Sequence, residues 1–201
     1  MNVNPFSQAG WASSSGGHGS APPSIFGALP FASSPSASTI YKFRFTNLNP
    51  DILDCTVVGP SSVPYFRVTN NSPSPNFTLF QNREGKSIAV IEWRDSTGPV
   101  VEIRDIVRKQ FVATWLQLSS DRQQRFMKAR DRTFVWVPQG AQVGLYTYVS
   151  NTAPELYARI SRTSGSEGEV VLEATSTAIQ EGYLDCCVVA AVLLQSGRML
   201  E

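Results

Sequence analysis

The pattern of apolar and polar positions divides the chain into three parts. Residues 1–38 are rich in Ser, Gly, Ala and Pro and contain no charged side chain. From Ile40 onward, short apolar or alternating runs are separated by turn residues about every 8 to 12 positions, which is typical of a β-sandwich or β-barrel. The last run, Cys186 to Leu194, contains no strongly polar side chain. The pattern therefore predicts a disordered tail over 1–38, a β-rich domain over 39–201 and a terminal apolar element.

Twelve strands are predicted between the tail and that element. They cover 41–45, 53–58, 65–69, 77–81, 87–93, 100–103, 111–116, 125–128, 133–137, 143–149, 156–161 and 169–175. The first alternates strictly, so we expect its aromatic residues Tyr41, Phe43 and Phe45 to face the core while Lys42 and Arg44 face water. The polar segment 119–124 is predicted to be a helical turn or loop, and 165–168 a hairpin turn.

The terminal apolar run is predicted to be a helix over about 182–197. Ala190 and Ala191, together with the length of the run, favour a helix over a buried strand. Asp185 suits its first turn and Gly197 its C-terminus. Because a helix that is apolar on all sides has to be enclosed, the strands are expected to surround it.

The number of strands agrees with that arrangement. Eight strands make a barrel that side chains just fill, whereas about sixteen leave a channel. A helix with its side chains is about 10 to 12 Å wide, which suits an intermediate barrel. We therefore predict a mainly β fold: a closed antiparallel β-barrel of about twelve strands around a buried hydrophobic C-terminal helix.

Composition limits the class of protein further. A chain of 201 residues with 42% hydrophobic residues can form one substantial core, and a net charge of +1 gives no global attraction to nucleic acid or membrane. Three cysteines, two of them adjacent, are not a disulfide framework. The N-terminus lacks the pattern of a signal peptide, and the apolar run is about half as long as a membrane span. We expect an intracellular, cytoplasmic protein without a transmembrane segment.

Several core and turn patterns resemble a known family. They are 88–94 (IAVIEWR), 125–126 with 134–136 (RF and FVW), 156–160 (LYARI) and 182–185 (GYLD). Together they look like the fungal family called domain of unknown function 6593. That family is similar in outline to the tubby-like C-terminal superfamily, which includes the tubby, LURP-one-related and scramblase-like proteins. The resemblance covers about residues 40–200 and implies a twelve-stranded barrel around a hydrophobic helix.

The resemblance has limits. Arg130, Asp131 and Arg132 stand where the family usually has an Asp-Gly turn, and the basic end that commonly follows the helix is reduced to Arg198. No residues here match the phosphoinositide-contacting residues of tubby or the calcium-associated acidic segment of scramblases. Those activities therefore do not carry over.

Candidate catalytic chemistry is sparse. His18, the single histidine, lies in the tail, so no Ser-His or Cys-His pair is expected. Cys186 and Cys187 lack a Cys-x-x-Cys partner and are interpreted as core residues. The acidic residues lie on different strands and loops, and no spacing singles out an acid/base pair. Glu92 is expected to form an outer-face salt bridge with a neighbouring arginine. No enzyme activity, metal or cofactor is predicted.

One stretch, 104–132, is locally basic. Its cationic side chains are Arg104, Arg108, Lys109, Arg122, Arg125, Lys128, Arg130 and Arg132. If the loops bring them together, they form a surface for anionic lipid headgroups, each basic residue contributing about 1 kcal/mol. An ordinary solvated surface is the alternative. Nucleic acid is not expected, because the aromatic residues of this stretch occupy predicted core positions.

The leading hypothesis is a non-enzymatic binding or interaction module that recognises anionic phospholipid through this surface. The alternatives are a small-molecule carrier, a structural protein–protein interaction domain and an enzyme that uses carboxylates. The tail aromatics Phe6, Trp11, Phe26 and Phe31 could bind a protein partner or the domain itself; an inert tail is the other interpretation.

Overall fold

The computed structural model describes residues 39–70, 76–94, 96–149, 152–162 and 169–201. These form thirteen strands, β1 to β13: Ile40–Thr46, Cys55–Val58, Pro64–Asn70, Phe77–Asn82, Ser87–Glu92, Val100–Ile103, Val107–Phe111, Leu116–Leu118, Arg125–Ala129, Arg132–Gln139, Gln142–Thr147, Leu156–Arg162 and Val170–Thr175. The helices are α1 (Val112–Trp115), α2 (Ser176–Gln180) and α3 (Leu184–Gln195), with a short 3₁₀ turn at Pro60–Ser62. The predicted tail, its four aromatic residues and the predicted turn at 165–168 lie outside the described residues.

All thirteen strands belong to one sheet, and every neighbouring pair is antiparallel. The order is β7-β6-β5-β4-β3-β2-β1-β13-β12-β11-β10-β9-β8, so the first and last strands of the chain are neighbours near the middle. The mainly β, antiparallel prediction is confirmed, with thirteen strands rather than twelve. β7 and β8 end the order, and no pairing between them occurs in the described part of the chain.

The predicted strand 111–116 is wrong. Residues 112–115 form one helical turn instead, with β7 ending before it and β8 starting after it. Val112 and Trp115 are both buried. Three positions apart, they share a face of a helix but would point to opposite faces of a strand, so helix lets both enter the core. β7 was missed because Arg108, Lys109 and Gln110 interrupt its apolar pattern.

Helix α1 lies between the two end strands of the sheet. It contacts β6 and β7 on one side and β8 and β9 on the other. The Val112 N–H donates to Pro99 O at 2.8 Å, and Trp115 Nε1 donates to Lys128 O at 2.9 Å. The helix is thus hydrogen-bonded to the residue that precedes β6 and to β9, the strands next to the two ends of the order.

Helix α3 is the centre of the core, as predicted, although it is shorter than 182–197. Every residue from Cys186 to Leu193 is buried, on all sides of the helix. α3 contacts both β5 and β13, and four strands lie between these two in the sheet order. The sheet therefore curves around the helix. Gly197 follows its C-terminus with φ +69°, a left-handed conformation that glycine adopts without strain.

The inner face of the sheet supplies the rest of the core. On β1, Phe43 and Phe45 are buried while Lys42 and Arg44 are exposed, which confirms the predicted alternation over 42–45. The prediction is wrong for Tyr41, which is 37% exposed near the start of the strand. Trp115 and Trp136 are the largest fully buried side chains. No helix within the described ranges is long and apolar enough to cross a bilayer.

The three cysteines are core residues. All are buried and unpaired, and the Cys55 thiol donates a hydrogen bond to Ile52 O at 3.2 Å. Burial raises the pKa of Cys55 to about 12 and that of Cys187 to about 12, and it also raises the pKa of Cys186. These thiols are therefore protonated and unreactive at neutral pH.

A charge in the middle of α3 should unfold the domain. Val189 is fully buried, and an unpaired buried charge costs several kcal/mol, a large share of a typical stability of about 5 to 15 kcal/mol. We expect Val189→Asp to abolish cooperative melting measured by circular dichroism. Val149→Asp places the same charge at a position that is 63% exposed and should leave the midpoint nearly unchanged. Cooperative melting of the Val189 variant near the wild-type midpoint would show that α3 is not the core.

Stability should also fall at alkaline pH. The folded state keeps the Cys55 and Cys187 thiols protonated until about pH 12, whereas the ordinary pKa is 9.0. Between these values the unfolded state has released protons that the folded state retains, so each thiol lowers the free energy of unfolding by about 1.4 kcal/mol per pH unit. Urea unfolding at several pH values measures this slope. The Cys187→Ala variant should show a shallower slope than wild type, and equal slopes would contradict the assignment.

Candidate functional site

The structure distributes the eight predicted basic residues over both ends of the sheet. Because neighbouring strands are antiparallel throughout, the β4–β5, β6–β7 and β9–β10 hairpins lie at one end. We call this the entry end, since α3 begins there with Tyr183 beside Arg130. The β8–β9 turn lies at the opposite, exit end, where α3 finishes. Arg104, Arg130 and Arg132 are at the entry end. Arg122 and Arg125 are at the exit end, and Arg108, Lys109 and Lys128 lie on strands β7 and β9.

Four of the eight are engaged by partners within the protein. Lys109 pairs with Glu92, Arg125 with Glu201 and Arg132 with Glu181. Arg130 donates to the Glu181 main-chain oxygen at 2.7 Å and lies over the Tyr183 ring at 5.4 Å. The other four are exposed and have no anionic partner among the described residues; they are Arg104, Arg108, Arg122 and Lys128.

Glu92 forms the predicted outer-face salt bridge. It pairs with Arg94 at 2.7 Å and, in addition, with Lys109 on β7. The hydrogen bond from Lys109, and then that from Arg94, lowers the pKa of the Glu92 carboxyl. Glu92 is therefore a structural anion that joins β5 to the edge strand β7.

A polar cluster closes the entry end of the core. Tyr157 Oη donates to Glu181 Oε2 at 2.7 Å, and Arg132 Nη1 donates to both groups, at 3.0 and 2.7 Å. The rings of Phe134, Tyr157 and Tyr183 pack beneath them, with centroids 4.9 to 6.1 Å apart. The cluster joins β10 and β12 to the corner between α2 and α3, so Arg132 has a structural partner there.

Four exposed arginines line two grooves toward the entry end: Arg83 and Arg104 in the β4–β5 and β6–β7 hairpins, and Arg67 and Arg108 on the strands β3 and β7. Arg104 and Arg108 line a cavity of about 600 Å³ along β5 to β7, together with Glu102 and Asp105. Arg67 and Arg83 line a second cavity of about 390 Å³ along β3 and β4, and no acidic residue lines it. We name these four arginines the hairpin surface. None of them has an anionic partner in the described ranges.

The sequence analysis did not select Arg67 and Arg83. Arg67 has no basic residue near it in the sequence, and Arg83 is followed by Glu84 and Lys86, so neither segment shows the basic density of 104–132. The strand order places them in the same half of the sheet as the β6–β7 hairpin, with β5 between β4 and β6. Arg104 and Arg108 were selected because they belong to the basic stretch.

The described residues bring together no group of three or more His, Cys, Asp or Glu side chains that could hold a metal ion. Glu84 pairs with Lys86, and Glu173 pairs with Lys42 and Arg159. Asp185 is partly buried, and burial raises the pKa of its carboxyl, opposed by the charge of Arg130. Asp95 lies outside the described residues.

Removing the Glu181 charge should lower the pKa of Tyr157. That pKa is raised to about 12, first by burial and next by the hydrogen bond to Glu181. In Glu181→Gln the burial contribution remains and the carboxylate is gone, so the phenol should ionise at a lower pH. A ¹³C NMR titration of labelled tyrosine measures this pKa. Glu84→Gln removes an exposed carboxylate elsewhere and should not change it; an unchanged Tyr157 pKa in Glu181→Gln would exclude the hydrogen bond.

Comparison with known proteins places the chain in a family. None of the curated proteins compared with it matches. An X-ray structure of a protein from Arabidopsis thaliana is similar over 81% of this chain and 94% of that chain, with 10% sequence identity and a TM-score of 0.45. The model of a family of unknown function, DUF6593, matches residues 50–199. The chain therefore belongs to the DUF6593 family.

Proposed function

We propose that this protein is a non-enzymatic binding module that recognises anionic membrane lipid through the hairpin surface. The observation that carries the proposal is the set of four exposed arginines, Arg67, Arg83, Arg104 and Arg108, toward one end of the sheet. Their charges are not neutralised by ion pairs within the described residues. Arginine suits this role because its planar guanidinium donates several hydrogen bonds to phosphate oxygens.

The expected binding is peripheral and sensitive to salt. Basic residues near an anionic membrane contribute about 1 kcal/mol each, so four would strengthen binding by roughly a thousandfold. Glu102 and Asp105 beside the larger groove reduce that gain. The attraction extends over about one Debye length, roughly 8 Å at physiological ionic strength, so the surface has to lie against the bilayer.

The position of α3 disfavours the alternative of a carrier. A carrier of the lipocalin type would hold its ligand inside the sheet. Residues 188–193 are buried there, so the helix occupies that space. Binding at the outer surface and ends of the sheet is therefore favoured.

We also propose that the sheet closes into a barrel of the tubby-like type, with α1 completing the wall between β7 and β8. The hydrogen bonds from α1 to Pro99, which precedes β6, and to Lys128 on β9 support this closure. An intracellular location belongs to the same proposal, because three unpaired buried thiols suit a reducing compartment. The fungal origin implied by the family resemblance stays a prediction.

Co-sedimentation with liposomes tests the lipid proposal. Wild-type protein should bind vesicles of phosphatidylcholine with phosphatidylserine at low salt, and should bind neutral phosphatidylcholine vesicles much less. Replacing two arginines in Arg104→Gln/Arg108→Gln removes about 2 kcal/mol of attraction and should weaken binding by tenfold or more.

The matched control is Lys128→Gln/Arg162→Gln, which removes two exposed charges outside the hairpin surface. It should keep most of the binding. An equal loss in both double variants would mean that the hairpin surface is not the site. Absence of wild-type binding to the anionic vesicles at low salt would refute the lipid proposal.

A further inference from the structure

A small pocket lies at the exit end of the sheet. The β4–β5 and β6–β7 hairpins lie at the other end of the strands. Its volume is about 160 Å³, and it lies between the β8–β9 turn, β10 and the last turn of α3. Apolar side chains, including Leu118, Trp136 and Leu194, form one part of its wall. Arg122, Arg125 and Gln195 form a polar part. The pocket thus combines an apolar surface with two arginines, and no acidic residue lines it.

Arg125 is unusual among the basic residues because it faces inward. In the sheet it stands between Leu118 on β8 and Trp136 on β10, and Trp136 in turn pairs with Leu145. Directly paired residues share a face, and Trp136 and Leu145 are core residues. Only 18% of the Arg125 side chain is exposed. Burying a cation costs free energy unless it is paired. Arg125 therefore needs pairing groups at this inner position.

Arg125 has two partners of different kinds. Nη1 donates to Leu116 O at 3.0 Å, which fixes the guanidinium against β8. Nη2 donates to Glu201 Oε1 at 2.7 Å. The Glu201 side chain is 57% exposed, so this partner lies at the surface. A competing carboxylate can replace it without opening the core.

Trp136, which also lines the pocket, carries a hydrogen-bond donor that is unsatisfied within the described part of the chain. Its side chain is only 1% exposed, and its Nε1–H has no acceptor among the described residues. A buried donor without an acceptor costs about 1 to 3 kcal/mol. The other two described indoles are satisfied: Trp93 donates to Thr78 Oγ1 and Trp115 to Lys128 O.

The turn that carries Arg122 is already ordered by hydrogen bonds. The Ser119 N–H donates to Gln124 O, the Gln124 N–H to Ser119 Oγ, and the Gln123 N–H to Asp121 Oδ1, over 2.9 to 3.1 Å. Arg122 itself has φ +57° at the tip of the turn. The rim of the pocket is therefore formed before any ligand arrives, which lowers the entropic cost of binding.

We propose that this pocket binds a small organic anion: a carboxylate that pairs with Arg125, attached to an apolar body that packs on Leu118, Trp136 and Leu194. The volume agrees with this class, because a cavity of about 150 Å³ is large enough for benzene. The proposal concerns a different site from the hairpin surface and does not depend on lipid binding.

Glu201 acts in this proposal as an internal competitor. It occupies the Arg125 nitrogen that the ligand requires. Removal of its charge should therefore strengthen ligand binding, whereas removal of the Arg125 charge should weaken it. These opposite signs distinguish a ligand site from a purely structural ion pair, since both substitutions would disturb a structural pair in the same direction.

The test is a titration of the full chain with benzoate, followed by the indole ¹H–¹⁵N signals. The Trp136 signal should shift saturably, while those of Trp93 and Trp115, which already have acceptors, serve as internal references. Benzamide has the same shape without the charge and should bind at least about tenfold more weakly, since hydrogen bonds to charged groups are worth about 1.5 to 3 kcal/mol.

Two variants complete the experiment. Arg125→Gln should reduce benzoate affinity to that of benzamide, and Glu201→Gln should raise it severalfold. If Arg125→Gln does not fold, the Glu201 variant alone decides, and an affinity equal to wild type overturns the proposal. Absence of a saturable Trp136 shift, or equal affinity for benzamide, also overturns it. Inorganic phosphate binding as tightly as benzoate would overturn the organic-anion assignment as well.

Discussion

The fold depends on one constraint: α3 has no polar face. Each residue from Cys186 to Leu193 is excluded from water, so no single layer of structure could cover the helix. Apolar burial contributes about 25 cal/mol per Å², and the chain gains it on every side only by curving one continuous sheet around the helix. The thirteen-strand order, the curvature from β5 to β13 and the position of α1 between the end strands all follow from that requirement.

A sheet that curves around a helix leaves the two ends of the helix uncovered. Different groups of side chains cover them here. At the entry end, Arg132, Tyr157 and Glu181 form a hydrogen-bonded cluster over packed aromatic rings. At the exit end, the segment after α3 folds back: Arg198 lies over the Trp93 ring at 4.6 Å, and Leu200 is buried. The Glu201 pair with Arg125 completes this second cover. The two arginine–glutamate pairs have similar N–O distances but different surroundings, and the arginine of the exit pair lines a pocket.

Much of the fold could be predicted because its signals are local. The alternation in β1, the polar turn at 119–124 and the apolar run of α3 each express a period that one segment contains. The wrong prediction at 111–116 arose because the residue types of this segment favour a strand, whereas the spacing of its core residues suits a helix. Val112 and Trp115 look like strand residues, yet both reach the core only in a helical turn. The candidate sites were harder to predict, because Arg67 and Arg83 are separated along the sequence from Arg104, and Arg125 looked like one more surface cation. The Arg125 side chain faces inward because Arg125 pairs with Trp136 across β9 and β10. This pairing cannot be recognised from the local sequence.

The sheet order also has a consequence for how the protein is made. Of the thirteen described strands, β1 leaves the ribosome before the others and its neighbour β13 leaves after them, with Ile40 opposite Thr175. The helix that fills the interior is made later still. Until then the inner face of β1 to β12 has nothing to cover it, and such long-range pairings form slowly. A partly synthesised chain therefore exposes apolar residues that the complete fold buries, and exposed apolar surface of this kind is prone to aggregate.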